Sequence, residues 1–484
     1  MLVLASMAST GVPVKEIPGS YGPPVLGALA DRFEYFVTEG VDKFFKNRID
    51  KYKSTVFKVN MPPGPPIVWD SRVVMLLDGK SFPVLYDLSK VEKKNVLTGA
   101  YMPSTAFTGG YRVSVYLDPS EENHSKLKRF CFEALKNSRD RYFPEFSRAF
   151  DELSAAVDKE MASSGKASFA TQIEQLIFNF LCRSITGADP VTQGLGTDGP
   201  SYVTQWLAPQ LAPIASSGFL PKIVDELTIH SIPLPFWLVS GSYDKLFNFL
   251  WTHAAPVLDV AEKEFGLNRA EACHDLLFNI SFNAFGGMLI MFPSIVKYIA
   301  LAGNQLQRDL AEEVRGAVRS QGGLNGRALE SMALVRSTVY EVLRMAPPVP
   351  LQYARAKTDF VVESHDGFYG VKKGELLGGY QPFATKDPKL FDRADEFVPR
   401  RFMGQEGEKM LKHVLWSNGR ETDETSADNK QCAGKDIVVM VARLFVAHFF
   451  LRYDSYTIDQ SSSSVTFSTL NKATAFSTLN KATA

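Results

Sequence analysis

The feature that most constrains this chain is a cysteine loop that opens a long, mostly apolar run near the C-terminal end. Residues Asn429 to Asp436 read Asn-Lys-Gln-Cys-Ala-Gly-Lys-Asp, and the apolar run continues from Ile437 to Val446. Backbone N–H groups at a helix start lower the pKa of a thiol, so Cys432 is well placed to be a metal-bound thiolate. Gly434 would let a flat ligand approach the backbone closely. Taken alone, the same pattern is typical of a buried structural cysteine before a core helix.

Two motifs upstream favour the metal-bound interpretation. Glu341 and Arg344 are three residues apart, on one face of a predicted helix, and the stretch from Phe397 to Phe402 follows with Arg401 as its candidate ionic residue. In order and spacing, these motifs and the cysteine loop resemble the haem-thiolate proteins called cytochromes P-450. The resemblance implies a buried ion network of Glu341, Arg344 and Arg401 beneath the haem. It also implies haem b, an iron protoporphyrin IX, with the thiolate of Cys432 as axial ligand and Gly434 beside it.

The length and composition agree with a large buried core. The chain has 484 residues and a formal net charge of zero, so it lacks the overall basic excess that is typical of nucleic-acid-binding proteins. Its length would ordinarily suggest two or more domains. The resemblance implies instead a mainly α fold with small β-sheets in a single large domain, residues 21–475. Residues 1–20 are then an N-terminal extension, and residues 476–484 repeat the nine residues before them.

The N-terminal residues and the cysteines bear on location. The first residues lack the basic start and cleavage pattern of a signal peptide, and no clear transit peptide is visible. Four widely spaced cysteines fit a reducing compartment better than a disulfide framework or zinc site. The uncharged window from Leu276 to Val296 contains polar residues and a proline, which predicts a buried central helix rather than a transmembrane anchor. We therefore expect a cytoplasmic or peripheral, plastid-associated protein.

Two further phrases narrow the resemblance. The stretches from Tyr101 to Arg112 and from Tyr116 to His124 are similar to the plant fatty-acid hydroperoxide branch of the cytochromes P-450, which comprises allene oxide synthases, hydroperoxide lyases and divinyl ether synthases. His124 and Lys128 lie four residues apart on one side of a predicted helix. The resemblance implies that they bind a haem propionate, with Arg355 as a weaker candidate for the same task. The alternative is a solvated helix face with scattered charges.

The central helix carries the mechanistic information. Monooxygenases of the resembled superfamily place an acid and a hydroxyl residue just after two glycines, whereas Leu289 and Ile290 follow the glycines here. Neither side chain can relay a proton to iron-bound dioxygen, which disfavours a monooxygenase fed by a redox partner. The resemblance implies that Asn283 orients a substrate hydroperoxide, the alternative being a structural helix hydrogen bond. Phe107 would stabilise a carbon-centred intermediate with its aromatic face, or would simply fill the core.

The expected activity is a dehydratase reaction. The resemblance implies homolytic cleavage of the O–O bond of a polyunsaturated fatty-acid hydroperoxide and release of an allene oxide and water, in an oxylipin pathway of the jasmonate type, with no O2, reductase or nucleic acid involved. A hydroperoxide lyase that yields aldehydes and oxo-acids is the first alternative. A haem-containing lipid-body protein with residual activity is the second.

The apolar, proline-containing stretch from Ile232 to Val239 predicts a packed loop or a peripheral contact with a membrane.

Overall fold

The computed structural model describes residues 13–462 and 464–473. The repeated tail, 476–484, and the first twelve residues of the predicted N-terminal extension lie outside this range. The α-helices of the described residues, numbered in chain order, are α1 Leu26–Phe33, α2 Val41–Tyr52, α3 Glu122–Asn137, α4 Arg139–Ser164, α5 Phe169–Thr186, α6 Gly199–Leu211, α7 Lys222–Leu227, α8 Ser240–His253, α9 Ala255–Phe265, α10 Arg269–Phe278, α11 Gly286–Ala302, α12 Asn304–Ser320, α13 Gly326–Ser331, α14 Ala333–Met345, α15 Gln381–Thr385, α16 Gly404–Met410 and α17 Lys435–Arg452.

The strands are short and form small sheets around the helices. Numbered in chain order, they are β1 Val14–Lys15, β2 Val56–Asn60, β3 Arg72–Leu76, β4 Val91–Glu92, β5 Ala167–Ser168, β6 Leu351–Ala356, β7 Phe360–Ser364, β8 Gly367–Val371, β9 Leu376–Tyr380, β10 Leu415–Trp416, β11 Gly419–Arg420, β12 Tyr453–Ile458 and β13 Thr466–Lys472. Their orders within the sheets are β2-β3-β9-β6-β4, β1-β8-β7, β12-β13-β5 and β10-β11. The prediction of a mainly α fold with small β-sheets is confirmed.

The hairpin near the N-terminal end illustrates how a turn sets strand limits. The sequence predicts a second strand that starts at Ile67, but β3 begins at Arg72. The register pairs Val56 with Leu76 and Asn60 with Arg72, so the intervening residues form a wide connection instead of a tight turn. Trp69 lies in this connection and is 73% exposed. The prediction that the apolar run at residues 67–69 starts the second strand is therefore wrong.

A nearly continuous helix crosses the middle of the molecule. A π-helical segment, Asn279–Phe285, joins α10 to α11, and by length and composition the whole run Arg269–Ala302 could cross a membrane. Many of its apolar side chains nevertheless pack in the main core. Phe285 meets Phe178 of α5 edge-on, and Phe292 stacks on Phe445 of α17 with ring centroids 4.9 Å apart. This central helix and α17 together organise the core in which the candidate site is built.

Candidate active site

The cysteine loop leads directly into α17. Cys432 lies three residues before the helix begins, and its backbone N–H donates to the Ser417 carbonyl at 3.2 Å. The Lys435 ammonium anchors the first turn by donating to the carbonyls of Glu421, at 2.6 Å, and Asp423, at 3.0 Å. A β-carbon added at Gly434 would lie more than 4 Å from every described atom other than its chain neighbours. The loop therefore has room for a flat ligand against its backbone, as the glycine predicts.

Opposing effects act on the thiol of Cys432. Burial raises the pKa of this thiol, whereas the Gly434 N–H and the cations of Lys128 and Lys435 act to lower it. A bound metal cation favours the thiolate strongly and would overcome the effect of burial. Two protein cations and a helix start thus lie around the thiol of Cys432, a half-buried residue.

Residues 420–431, the polar stretch before Cys432, are held in a fixed conformation by hydrogen bonds. The Tyr340 hydroxyl and the Trp416 indole N–H donate to the two carboxylate oxygens of Glu421, at 2.7 and 2.5 Å. Gln431 Nε2 donates to the Arg420 carbonyl at 2.5 Å, which closes the two ends of the stretch on each other. The polar stretch of residues 420–431 is therefore packed against the protein.

The structure brings Glu341, Arg344 and Arg401 together. Arg344 donates through Nε and Nη2 to the Glu341 carboxylate at 2.7 and 2.8 Å, and both side chains are 0% exposed. Arg401 Nε contacts both oxygens of the same carboxylate at 3.1 Å, and the Val398 N–H donates to one of them at 2.8 Å. The remaining Arg344 protons reach backbone carbonyls, including that of Ala394 at 2.7 Å. This buried ion network ties α14 to the residues that precede the cysteine loop.

His124 and Lys128 lie on α3, one turn apart, and both are buried. The Lys128 ammonium donates to the backbone carbonyl of Asn429 and, at 3.0 Å, to its side-chain oxygen, so it contacts the cysteine loop directly. His124 Nδ1 is buried and has no hydrogen-bond partner among the described residues. Burial, assisted by Lys430 and Lys128, lowers the pKa of His124 to about 4. A nearby anion would satisfy this ring and reverse the shift.

Two further cations, which the sequence reasoning missed, belong to the same cluster. Lys93 follows β4, is 3% exposed, and donates to the Tyr353 carbonyl at 3.0 Å. Lys430, two residues before Cys432, donates to three backbone carbonyls, those of Ser114, Val115 and Leu117. Burial, with repulsion from Lys430, lowers the pKa of Lys93 to about 7. Burial, with repulsion from Lys128, lowers the pKa of Lys430 to about 7.

This concentration of basic groups fits an anionic cofactor. Buried cations are rarely stable without a counter-ion, and two carboxylates next to the cysteine loop would supply one. The cluster of Lys93, His124, Lys128 and Lys430 therefore suits the propionates of a haem. The position of Lys430, two residues before Cys432, could have identified it in the sequence as a candidate for binding the cofactor. Lys93 stands in an ordinary charged stretch, and only the packing of β4 beside β6 reveals its burial.

Arg355 lies on β6, opposite Glu92 of β4. Its Nη1 donates to the Gly374 carbonyl at 2.8 Å, and its charge acts to lower the pKa of Asp70. Among the described hydrogen bonds, none joins this guanidinium to the cysteine loop. Arg355 is thus the propionate candidate with the least structural support. Lys93, the residue directly after β4, belongs to the cation cluster instead.

The central helix has one accessible face. Asn283 and Ile290 are exposed, two turns apart, although the helix packs in the core on its other sides. A β-carbon added at Gly286 or Gly287 would lie more than 4 Å from every described atom outside the adjacent backbone of the helix. Asn283 Nδ2 donates to Asn279 Oδ1 at 2.8 Å. The accessible face therefore combines one amide with glycines and apolar side chains.

Phe107 lies in a short 3₁₀ turn and is 4% exposed. Its ring meets Phe236 edge-on with centroids 5.4 Å apart, and its carbonyl accepts from the Trp206 indole N–H at 2.9 Å. Among the described contacts, none joins this ring to Asn283. The surroundings of Phe107 are those of a core residue, and its catalytic role stays a prediction.

The chain is similar to known proteins over almost its whole length. The sequence profile of the family described as Cytochrome P450 matches residues 300–478, a range that includes the ion network and the cysteine loop. The chain is 52% identical over 474 residues to the chloroplastic allene oxide synthase of Linum usitatissimum, an alignment that covers 97% of this chain and 88% of that protein. The chain belongs to the cytochrome P450 family. Two other relatives are also similar. The chloroplastic allene oxide synthase of Arabidopsis thaliana is 52% identical, and the alignment covers 98% of this chain and 92% of that protein. The allene oxide synthase of Parthenium argentatum is 49% identical, and the alignment covers 96% of this chain and 100% of that protein.

Membership of the family determines the fold and the cofactor. This cytochrome P450 has the haem-thiolate fold, and its cofactor is haem with a cysteine thiolate ligand. The expectation of a cytoplasmic location is wrong. The relatives from Linum usitatissimum and Arabidopsis thaliana, and two from Solanum lycopersicum, are named chloroplastic, which points to the plastid.

Proposed function

We propose that this cytochrome P450 is an allene oxide synthase, which removes the elements of water from a polyunsaturated fatty-acid hydroperoxide. The distal oxygen leaves with the hydroperoxide hydrogen and one C–H hydrogen, while the proximal oxygen closes onto the neighbouring alkene carbon. This balance needs no external oxidant or reductant. Similarity over nearly the whole length to several proteins named allene oxide synthase supports the proposal and disfavours the lyase alternative.

The observation that carries the proposal is the accessible amide of Asn283 on an otherwise apolar helix face. Because Asn283 Nδ2 donates to Asn279, the Asn283 Oδ1 atom remains as an acceptor for the O–H of a hydroperoxide. Ile290, on the same face, is 47% exposed and cannot deliver protons. The face thus suits a substrate that arrives with its O–O bond already formed, and it does not suit dioxygen activation.

The cysteine loop and the cation cluster would hold the cofactor. Cys432 is the proposed axial ligand, Gly434 leaves room for the macrocycle, and the cluster of Lys93, His124, Lys128 and Lys430 would balance the propionates. When bound, a haem with thiolate ligation supplies cleavage of the peroxide O–O bond. The protein contributes the placement of the substrate.

The packed stretch before Cys432 supports turnover without a redox partner. Glu421 accepts from Tyr340 and Trp416, which fixes the stretch against the protein on the side of the thiolate. A reductase would have to dock near the cysteine loop to transfer electrons. A substrate that is already a peroxide makes such docking unnecessary.

The decisive experiment uses the purified holoprotein under anaerobic conditions without any reductant. It is incubated separately with the hydroperoxides of linoleic and linolenic acid, and the products are identified by mass spectrometry. Allene oxide synthase activity gives ketols and cyclopentenones, which are the hydrolysis and cyclisation products of an allene oxide. Aldehydes with oxo-acids would replace the proposal with the lyase alternative, and an unconsumed hydroperoxide would refute both.

A peripheral membrane contact is part of the same proposal. Arg32 of α1 donates to Glu226 Oε1 at 2.7 Å and to the carbonyls of Pro63, at 2.7 Å, and His230, at 3.1 Å, which joins three surface segments. Exposed apolar side chains on and beside these segments form the apolar patch: Val25, Leu26, Trp69, Phe219, Ile223, Leu227, Ile232, Trp237 and Leu238. Such a patch fits the surface of a lipid bilayer, from which a fatty-acid derivative would enter.

The membrane contact is tested with variants of its most exposed residues. Trp237 is 72% exposed and Leu227 is 68% exposed, so Trp237→Ser with Leu227→Ser removes apolar area without opening the core. We expect weaker co-sedimentation with phosphatidylcholine vesicles. Leu301→Ser, at a residue 52% exposed outside the patch, is the matched control. Equal sedimentation of the variant and the control would remove the membrane contact from the proposal.

A further inference from the structure

A ladder of polar side chains follows the central helix at intervals of one turn. Asn283 Nδ2 donates to Asn279 Oδ1 at 2.8 Å, and Asn279 Nδ2 donates to Asp275 Oδ2 at 2.8 Å. Asp275 is 0% exposed, and its second oxygen accepts the backbone N–H of Ser114 at 2.7 Å. The ladder begins in the core and ends at the accessible amide.

The chemistry of the ladder gives it a direction. An ionised carboxylate only accepts hydrogen bonds, so Asp275 requires Asn279 to present its NH2 group. The Asn279 carbonyl oxygen is then the atom that faces Asn283, which must in turn present its own NH2 group. The carbonyl oxygen of Asn283 is left for the accessible face. The orientation of this amide therefore follows from the acid at the far end of the ladder.

The ladder is also connected to the cysteine loop. The Ser114 N–H donates to Asp275, and the Ser114 carbonyl accepts from the Lys430 ammonium at 2.9 Å. Lys430 is two residues from Cys432 in the chain. One hydrogen-bonded path thus joins the loop that holds the proposed axial ligand to the amide proposed to face the substrate.

A purely structural role would be the simplest alternative. Asparagine is a poor residue for a helix interior, and a buried carboxylate costs free energy unless it is fully hydrogen-bonded. The segment Asn279–Phe285 is π-helical, and such segments often occur at functional sites. Asp275 and Asn279 are both unfavourable at these positions, and both belong to the hydrogen-bonded ladder that ends at Asn283. A requirement for one orientation of the Asn283 amide explains their presence better.

We propose that Asp275 and Asn279 are positioning residues that hold the Asn283 amide with its oxygen towards the substrate hydroperoxide. The inference rests on the proposed function, in which Asn283 accepts the hydroperoxide O–H. It adds that the direction of this hydrogen bond is determined two turns away, by a residue that does not contact the substrate.

The test reverses the ladder without changing its shape. In Asp275→Asn, the new amide accepts from Ser114 and presents NH2 to Asn279, so both asparagines turn over and Asn283 presents NH2 to the substrate. We expect kcat to fall roughly tenfold with little change in KM, which is the effect of losing one hydrogen bond between neutral groups in the reacting complex. Asn279→Leu breaks the ladder at similar volume and should lower kcat comparably. The matched control is Asp309→Asn. Asp309 is also an aspartate on a helix that accepts a hydrogen bond from a side-chain amide one turn away, that of Gln305, and its replacement should leave kcat unchanged.

A double-mutant cycle separates positioning from general stability. In the Asn283→Leu background, Asp275→Asn should have no further effect on kcat, because its whole effect passes through Asn283. The haem-thiolate spectrum and the Tm of each holoprotein are recorded alongside. A tenfold loss in both backgrounds, or an unchanged kcat in Asn279→Leu, would overturn the inference. An unaffected kcat in Asn283→Leu would also overturn it, whereas the proposed function is judged separately by the products of the unmodified protein.

Discussion

Removal of the negative charge from the buried ion network should destabilise the fold markedly. Glu341→Gln keeps the shape of the side chain but leaves Arg344, which is 0% exposed, and Arg401, which is 10% exposed, without their shared carboxylate. Breaking a buried ion pair by removing one partner costs about 3–5 kcal/mol. Four charge-assisted contacts and the Val398 N–H end on this one carboxylate, which argues for the full effect.

The expected shift in melting temperature follows from the length of the chain. For 484 residues, about 2.1 cal/mol/K per residue gives an unfolding entropy of about 1 kcal/mol/K, so Tm should fall by about 3–5 °C. The assay is thermal unfolding of the holoprotein at a fixed scan rate, followed by far-UV circular dichroism. Glu406→Gln is the control, because Glu406 is 85% exposed and its ion pair with Lys409 contributes little. Equal Tm values for the two variants would refute the reasoning.

Three further predictions address the site. Cys432→Ser should abolish turnover of hydroperoxide and the thiolate-haem spectrum, and a variant that keeps both would contradict the proposed ligand. Lys93→Met should increase the rate of haem transfer to apomyoglobin roughly tenfold, which corresponds to the loss of one charge-assisted hydrogen bond. The control is Lys94→Met, which changes an exposed neighbouring lysine and should leave the rate unchanged. Burial raises the pKa of Asp275 to about 6, in surroundings that include Glu271, Lys430 and Cys131. Asp275 is therefore protonated below about pH 6, where its carboxyl group can donate a hydrogen bond and no longer determines the direction of the ladder. We expect kcat to fall as the pH is lowered through about 6. The Asp275→Asn variant should not show this decrease.

Local patterns were a good guide where the chemistry is carried by neighbours in the chain. The apolar run after the cysteine predicts a core helix, and α17 packs in the main core. The three-residue spacing of Glu341 and Arg344 predicts one helix face, which α14 provides. The start of the second hairpin strand was predicted five residues too early, at Ile67 instead of Arg72. The reason is that Trp69 is apolar and exposed, and hydrophobic period alone cannot separate a strand start from an apolar surface loop.

Location was misjudged for a different reason. A targeting segment is recognised by its general composition, for which a single sequence offers no sharp pattern of residues and spacing. The relatives named chloroplastic supply what the pattern does not.

From the sequence, the resemblance to the cytochromes P-450 implied the haem-thiolate fold. Residue type and spacing within a few turns indicated the candidate thiolate loop and the unsuitability of Leu289 and Ile290 for proton delivery. Only the tertiary structure decided that Lys93 joins the cations at the cysteine loop, that Phe107 packs against Phe236, and that Ser114 links Asp275 to Lys430. The physical reason is distance along the chain: these groups are separated by more than a hundred residues, and burial in a shared core, not local periodicity, brings them within hydrogen-bonding or van der Waals reach.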